Sequence, residues 1–155
     1  MSKRAVTAER NATRASLDTS ALNAALGYLA TKAEILLRRA FLRANEGVQI
    51  RPVEFSVLVL VATNERANQK LLCRELLVSP PNMAVVLDRM EANRWIKRVR
   101  NPDDRREQFI EITEAGRKLA DQCIQRTVQA EEPFLRKLTR AERIQLAELL
   151  QKIGE

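Results

Sequence analysis

Residues 79–112 limit the fold of this chain more than any other stretch, because they fix the start of a helix and the strands of a hairpin. Ser79 stands directly before two prolines, and Pro80 suits the first helical position, where a backbone N–H has no partner to lose. We therefore expect a helix that begins at Pro80, with the Ser79 hydroxyl accepting a hydrogen bond from its first turn. The apolar stripe of this helix consists of Met83, Val86, Leu87 and Met90.

The segment after Trp95 predicts a β-hairpin. The sequences IKRVR (residues 96–100) and QFIEI (108–112) are β-prone, and the Asn-Pro-Asp-Asp between them is typical of a turn. Six of the ten residues from Arg100 to Phe109 are charged. Such a turn is either a solvated surface loop or a finger that touches a partner of opposite charge, and both readings stay open at this point.

Apolar spacing predicts three helices before this region. One long helix covers Thr19–Ala44, and a second begins near Pro52. The β-branched run at residues 57–61 also fits a strand, but Pro52 and Glu54 favour a helix start. A short third helix covers Asn68–Val78 with Asn68 as its cap. Its expected apolar side consists of Leu71, Leu72, Leu76 and Leu77.

Two helices follow the hairpin. Thr113 caps the first, which Pro133 ends or kinks, and a Thr-x-x-Glu capping box at Thr139 starts the second. In the first helix, either Cys123 or Ile124 occupies the core position between the neighbouring apolar residues. The apolar positions of the last helix are Ile144, Leu146, Leu149, Leu150 and Ile153.

The composition favours one helix-rich domain with an anionic partner. The chain has 155 residues, of which 45% are hydrophobic and 30% charged, with only 4 Gly and 5 Pro. The formal net charge is +7, which makes an anionic partner plausible. Aromatic residues make up only 4%, too few for the stacking platforms that single-stranded nucleic acid needs.

The residue inventory argues against catalysis and metal binding. The chain contains no His, and its two cysteines, Cys73 and Cys123, are far apart, so zinc sites and His-dependent triads lack their residues. We therefore expect no enzyme activity, no catalytic residue, no metal and no cofactor. The cysteines are either redox sensors or buried thiols, and the second reading is favoured. The sequence shows no membrane span or signal peptide, which predicts a cytoplasmic protein without membrane partners.

From Thr19 to the C-terminus, the order of the elements resembles that of the MarR family of bacterial transcriptional regulators, and the resemblance is sharpest from Leu71 to Leu119. The resemblance rests on the Asp104-Arg105-Arg106 turn, the Ile112-Thr113-x-x-Gly116 sequence after it, and Leu87-Asp88-Arg89-Met90 on the preceding helix. It implies a mainly α fold with a minor β part: a winged helix-turn-helix whose N- and C-terminal helices form a dimerisation bundle. The implied division is a basic arm at 1–18 and one domain at 19–155, with the winged helix-turn-helix at about 50–113 and dimerisation helices at about 19–45 and 113–155.

The resemblance also implies a function, namely a homodimeric repressor that binds double-stranded DNA at a palindrome with half-sites about 34–36 Å apart. The recognition helix would read the major groove, Arg106 would enter the minor groove, and Asp104 would orient the wing arginines. The expected recognition-helix residues are Ser79, Pro80, Pro81, Asn82, Ala84, Val85 and Arg89. The expected wing residues are Arg98, Arg100, Asp104, Arg105, Arg106 and Gln108.

The chain departs from the family pattern in two places. Ala84-Val85 stands where many members have Thr-Arg, which removes a phosphate or guanine contact. Arg94 stands where members often have Gly in a left-handed turn, and we expect Asn93 to take that conformation instead.

Family members commonly release DNA when a small acidic ligand binds between the dimer core and the winged domain. This implies a small-molecule effector, for which an aromatic acid or its acyl-CoA thioester is the suggested class. Residues that could line such a cleft are Tyr28, Arg38, Phe41 and Phe55. Two other functions stay open: a sequence-indifferent architectural DNA-binding protein, suggested by Ala84-Val85, and a helical protein-interaction module without DNA binding.

Overall fold

The computed structural model describes residues 17–101 and 108–154. The chain divides into two units, residues 1–34 and 35–155. In the first, α1 (Ser20–Asn23) precedes the first turns of α2 (Leu26–Ala44). The prediction of one continuous helix is therefore wrong at residues 24–25, where Ala25 N–H donates to the Leu22 carbonyl in a tightened turn. Of the small residues near this break, only Gly27 disfavours a helix, since glycine is less favourable than alanine in a helix interior.

The second unit is a winged helix-turn-helix followed by two long helices, which confirms the predicted fold class. A short 3₁₀ turn (Glu46–Val48) connects α2 to the rest. Residues 96–100 and 108–112 form an antiparallel hairpin in the predicted positions. The elements in chain order are α3 (Pro52–Thr63), α4 (Gln69–Glu75), α5 (Pro80–Ala92), β1 (Ile96–Arg100), β2 (Gln108–Ile112), α6 (Glu114–Leu135) and α7 (Arg140–Gly154).

The β-branched run after Pro52 is helical, as the start residues indicate. Pro52 occupies the first position of α3, and the Glu54 carboxylate accepts a hydrogen bond from the Arg51 backbone N–H at 2.8 Å. Val57 and Leu58 are completely buried. Burial on all sides explains why this short apolar helix resembles a strand in sequence.

The core of the second unit lies between α3, the inner face of α5, the hairpin and the first half of α6. All four residues of the predicted α5 stripe are buried. Cys123 is buried and fills the core position on α6, whereas Ile124 is exposed. Of the two residues that the sequence allowed at this position, Cys123 is therefore the one in the core. Burial raises the pKa of the Cys123 thiol, against the opposing effect of the Arg126 charge, and disfavours the reactive thiolate.

Helix α4 is shorter than predicted. Asn68 caps it by accepting from Leu71 N–H at 2.9 Å, but the helix ends at Glu75 rather than at Val78. Leu77 takes a left-handed conformation with φ 53°, and Val78 N–H closes the turn on the Cys73 carbonyl. Of the predicted apolar side, only Leu72 is buried; Leu71 is exposed, Leu76 is half-buried, and Leu77 is 90% exposed.

Replacement of Leu77 by glycine is expected to stabilise the protein by about 1 kcal/mol, because glycine has no Cβ to clash in a left-handed conformation. The exposed leucine contributes little packing to offset its strain. A higher urea midpoint with an unchanged m value would show the gain. Leu71→Gly is the matched control, since its position inside α4 makes glycine unfavourable there. An unchanged or lower midpoint for Leu77→Gly would contradict the expectation.

The end of α5 corrects a second local prediction. Asn93 remains right-handed with φ −78°, and Arg94 itself adopts the left-handed conformation with φ 60°. Trp95 N–H donates to the Met90 carbonyl and Arg94 N–H to the Glu91 carbonyl, which completes a Schellman motif. The two backbone hydrogen bonds require the left-handed conformation at Arg94. Their stabilisation outweighs the lower strain that asparagine would have in that conformation.

Helix α6 begins as predicted. The Thr113 hydroxyl accepts from Gly116 N–H at 3.0 Å and donates to the Arg94 carbonyl at 2.7 Å. The helix continues through Pro133 to Leu135, so the proline comes two residues before its end and does not stop it. The predicted capping box of α7 is present, with the Glu142 carboxylate accepting from Thr139 N–H at 2.7 Å.

Candidate nucleic-acid interface

The outer face of α5 presents its first two turns to solvent. Pro81 and Asn82 are exposed and Val85 is 63% exposed, while Ala84 is half-buried. Ser79 is the residue before the helix, as predicted, but its side chain makes no hydrogen bond to the first turn of α5. The start of the helix is held instead from α4, where Gln69 Nε2 donates to the Pro80 carbonyl at 3.0 Å.

The Arg89 side chain forms hydrogen bonds to α3 and to the chain before it. Its Nη1 donates to Glu54 Oε1 at 2.6 Å, and its Nη2 donates to the Gln49 carbonyl at 2.9 Å. The side chain of Arg89 is 31% exposed, and its predicted place on the DNA-facing side of α5 with Asn82 and Val85 stays a prediction. The guanidinium is drawn inward because a fully buried carboxylate requires a charged partner.

The hairpin is fixed to the start of α4. Val99 pairs with Phe109 in the antiparallel register, and Ile110 N–H donates to the Ala67 carbonyl at 2.7 Å. An isolated bridge between Asn68 and Phe109 extends this contact. The residue before α4 thus lies beside β2 like a short third strand, which sets where the hairpin projects relative to α4 and α5.

Arg98 joins the hairpin to α5 rather than projecting outward. Its guanidinium contacts Asp88 at 2.6 Å and also pairs with Glu91, and its backbone N–H donates to the Glu91 carboxylate. Partial burial acts to lower the pKa of the Arg98 guanidinium, but its hydrogen bonds and ion pairs with the two carboxylates outweigh burial and raise the pKa above its ordinary value. These contacts join the hairpin to α5, and the predicted DNA contact at Arg98 stays a prediction.

Two predicted wing residues flank the turn. Arg100 at the end of β1 and Gln108 at the start of β2 are directly paired and exposed. Lys97 is exposed on β1 and lies 2.9 Å from Glu111 on β2. The predicted Asp104, Arg105 and Arg106 lie outside the described residues, as does most of the predicted arm at 1–18.

This arrangement has the geometry for duplex recognition. A helix that offers its N-terminal turns from a convex surface can enter the major groove, and its amide end favours nearby phosphates. The exposed basic residues of β1, Lys97 and Arg100, suit the phosphate backbone. Sequence reasoning missed the residues that fix this geometry, Gln69 and Glu54. The capping pattern at Pro52 indicated Glu54, but only as a helix start.

The residues of the predicted effector cleft are distributed between both units. Tyr28 belongs to the first unit and is half-buried. In the second, Phe41 and Phe55 pack with ring centroids 5.3 Å apart, and Arg38 on α2 is exposed to solvent while engaged in an interaction. Residues of α2 close in sequence to Arg38 and Phe41 form a groove of about 540 Å³ with α6. It is lined by Leu36, Arg39, Ala40, Arg43, Ala44, Ala130, Pro133 and Phe134, so Arg38 and Phe41 are not among its lining residues.

The described part of the chain shows neither a membrane-spanning helix nor a cluster of metal-binding side chains. Within residues 17–101 and 108–154, no helix combines the length and the apolar character needed to cross a membrane. Over the same two ranges, His, Cys, Asp and Glu form no cluster of three or more that could hold a metal ion.

Comparison with known proteins points to one family. Residues 50–108, which contain the helix-turn-helix and β1, match the MarR family. This region of the chain is similar to MarR-family transcriptional regulators. The HTH-type transcriptional repressor NicR of Pseudomonas putida is 26% identical over 125 residues, covering 76% of this chain and 79% of NicR.

Two solved structures support the MarR-family fold over most of the chain. The transcriptional repressor CouR bound to a 23-mer DNA duplex has a TM-score of 0.84 and 29% identity, covering 91% of this chain and all of that one. CouR from Rhodococcus jostii RHA1 bound to p-coumaroyl-CoA has a TM-score of 0.79 and 26% identity, covering 87% and 95%. These relatives are transcriptional regulators, which confirms the prediction of a regulator rather than an enzyme.

Proposed function

We propose that this regulator is a cytoplasmic, homodimeric repressor that binds a palindromic promoter site sequence-specifically. The observation that carries the proposal is the outward face of α5, where Pro81, Asn82 and Val85 are exposed beside the hairpin. Asn82 can pair with an adenine edge, and Pro81 or Val85 can contact a thymine methyl. The likeness to CouR bound to DNA supports this use of the surface.

Exposed apolar residues support the dimer. Helix α7 has no buried residue in the single chain, although it carries leucines and isoleucines at helical spacing. A helix with an unpartnered apolar face is not stable in water, which favours its burial against a second copy. The exposed residues are Ile144, Leu146, Leu149, Leu150 and Ile153, with Leu22, Leu26, Leu29 and Leu36 on α1 and α2.

The wing arginine offers a direct test of DNA binding. Arg106→Ala is expected to weaken operator binding by about 1–3 kcal/mol and to reduce the slope of log affinity against log salt by about one, because one cation near the backbone is lost. Arg126→Ala, an exposed arginine on α6, is the matched control and should change neither quantity. Titration of a labelled operator at several salt concentrations measures both, and equal behaviour of the two variants would contradict the role of Arg106.

We further propose an effector that releases the DNA, of the class of aromatic carboxylates or their CoA thioesters. The groove between α2 and α6 supports this class, because its walls are apolar and it carries Arg39 and Arg43, which suit a carboxylate or phosphate. Its volume falls within the usual range for small-molecule sites. The likeness to CouR bound to p-coumaroyl-CoA points to the same chemistry.

One experiment separates the proposed repressor from the alternatives. Genomic fragments retained by the purified protein are sequenced, and the enriched site is footprinted with and without p-coumaroyl-CoA as a probe. A short protected palindrome supports the repressor, and its loss with the probe supports the effector class. Uniform coating would favour the architectural DNA-binding protein. No retained fragment at moderate salt would favour the protein-interaction module.

A further inference from the structure

A buried carboxylate joins the recognition helix α5 to the chain before α3. Glu54 is fully buried; its Oε1 accepts from Arg89 Nη1 at 2.6 Å and its Oε2 from the Arg51 backbone N–H at 2.8 Å. Arg89 Nη2 also donates to the carbonyl of Gln49, a residue in a left-handed turn. One guanidinium therefore holds α5 to two points of the segment that starts α3.

This bridge lies close to the side chains that face DNA. Arg89 comes seven residues after Asn82 on the same helix, which is about 10 Å along its axis. A rotation of about 10° around Arg89 would move Asn82 by about 2 Å, and a hydrogen bond to a base edge does not tolerate such a displacement. The angle fixed at Arg89 therefore decides whether Asn82 reaches its base.

Stability alone does not account for the pair. Removing the Glu54 carboxylate from water is costly, whereas the Arg89 side chain remains 31% exposed. Apolar residues of similar volume often give stability equal to or greater than that of a buried ion pair. The charged pair instead fixes the orientation of α5, because the hydrogen bonds to Glu54 and Gln49 require one orientation of the Arg89 guanidinium. An apolar pair would fill the same space without that requirement.

We propose that Glu54 is a positioning residue for operator recognition, acting through Arg89, and that the pair sets the angle of α5 without either residue touching the DNA. This inference rests on the proposed function. It goes beyond it by assigning part of the specificity to a carboxylate inside the domain.

The test compares binding to the operator with binding to an unrelated duplex, using a variant whose stability matches that of the unmodified protein. The double variant Glu54→Leu/Arg89→Met replaces both partners by apolar groups, so its thermal midpoint is expected to stay close to that of the unmodified protein. Its affinity for the operator selected from genomic fragments is expected to fall tenfold or more. Its affinity for an unrelated duplex, and the salt slope on that duplex, should not change, because no phosphate contact is removed.

Two single variants complete the test. Glu54→Gln keeps the shape, but its single amide oxygen can accept from only one of the two donors, Arg89 or Arg51, and its Nε2 faces the other. It should fold and lose a smaller part of the operator affinity than the double variant, about three- to tenfold. Glu46→Gln removes an exposed carboxylate from the neighbouring 3₁₀ turn and should leave operator affinity unchanged. If the double variant fails to fold, the result for Glu54→Gln decides.

Two outcomes would overturn the inference. Unchanged operator affinity in Glu54→Gln and in the folded double variant would show that the pair serves packing alone. An equal loss on both duplexes, with a salt slope smaller by about one, would show that Arg89 contacts phosphate directly. If the unmodified protein selects no operator at all, the proposed function fails, and this result differs from either outcome.

Discussion

Gly116→Ala is expected to lower the free energy of unfolding by about 3 kcal/mol, because a Cβ at this position would lie only 2.0 Å from the Trp95 carbonyl oxygen and 2.9 Å from its carbon. The obstacle is backbone and cannot rotate away. Trp95 is held there by Thr113, whose N–H donates to the same oxygen at 3.0 Å. The clash would separate α6 from the end of α5, where the hairpin begins, and so would disturb the wing as well.

The chain offers a matched control for this substitution. A Cβ at Gly47 would meet no atom within 4 Å, so Gly47→Ala should change stability by less than about 0.5 kcal/mol. Urea unfolding of both variants, followed by circular dichroism, measures the difference. A loss of about 3 kcal/mol is a large share of the 5–15 kcal/mol that domains usually possess. Equal midpoints for the two variants would contradict the assigned contact.

The contact at Gly116 also gives a physical reason for the Thr-x-x-Gly pattern that the sequence shows. Thr113 caps α6 and holds the Trp95 carbonyl, and Gly116 leaves room for that carbonyl against the first turn of the helix. The pattern therefore concerns the junction between the helix-turn-helix and α6. It fixes the base from which β1 and β2 project.

Features that depend on neighbours in sequence could be predicted. The start of α5 at Pro80, the two strands and the cap at Thr113 follow from local chemistry, and all agree with the structure. The buried stripe from Met83 to Met90 could also be predicted, because helical spacing alone decides which residues share a face. These features define most of the winged helix-turn-helix.

Features that depend on contacts across the fold could not be predicted. Arg89 and Glu54 are 35 residues apart, and no sequence pattern indicates that the two charges meet inside the domain. Arg98 looks like a DNA-facing cation in the sequence, yet Asp88 and Glu91 lie within its reach once β1 packs against α5. A surface arginine and an internal one share the same local pattern, so only the partners distinguish them.

The turns show a second kind of limit on prediction from sequence. Asn93 adopts a left-handed conformation more easily than Arg94, but the difference is only about 1 kcal/mol, and the two hydrogen bonds that end α5 outweigh it. Leu77 was expected on the apolar side of α4, whereas it occupies the turn after the helix. A difference of this size between neighbouring residues is too small for sequence reasoning to place a helix end.

The second large effect is expected from the surface of α7. The double variant Leu149→Glu/Leu150→Glu should convert the proposed dimer into monomers and weaken operator binding by about 100-fold or more, since each monomer then holds a single half-site. In a dimer formed by two-fold symmetry the substituted residues face equivalent surfaces of the partner, so four new carboxylates would be buried or brought together. Both leucines are about half exposed in the single chain, so the core of the protomer loses little.

Sedimentation velocity and operator titration measure the two consequences separately. Gln151→Glu, which adds one charge at an exposed polar position of the same helix, should leave both the dimer and the operator affinity intact. Far-ultraviolet circular dichroism should show that the monomeric variant retains the helices of the winged domain, because α3, α4 and α5 form a core with the hairpin and the first half of α6, without α7. A dimer that persists in the double variant would exclude this face of α7 from the interface. Monomers that bind the full palindrome as tightly as the unmodified protein would remove the reason for two half-sites, since avidity would then contribute nothing to recognition.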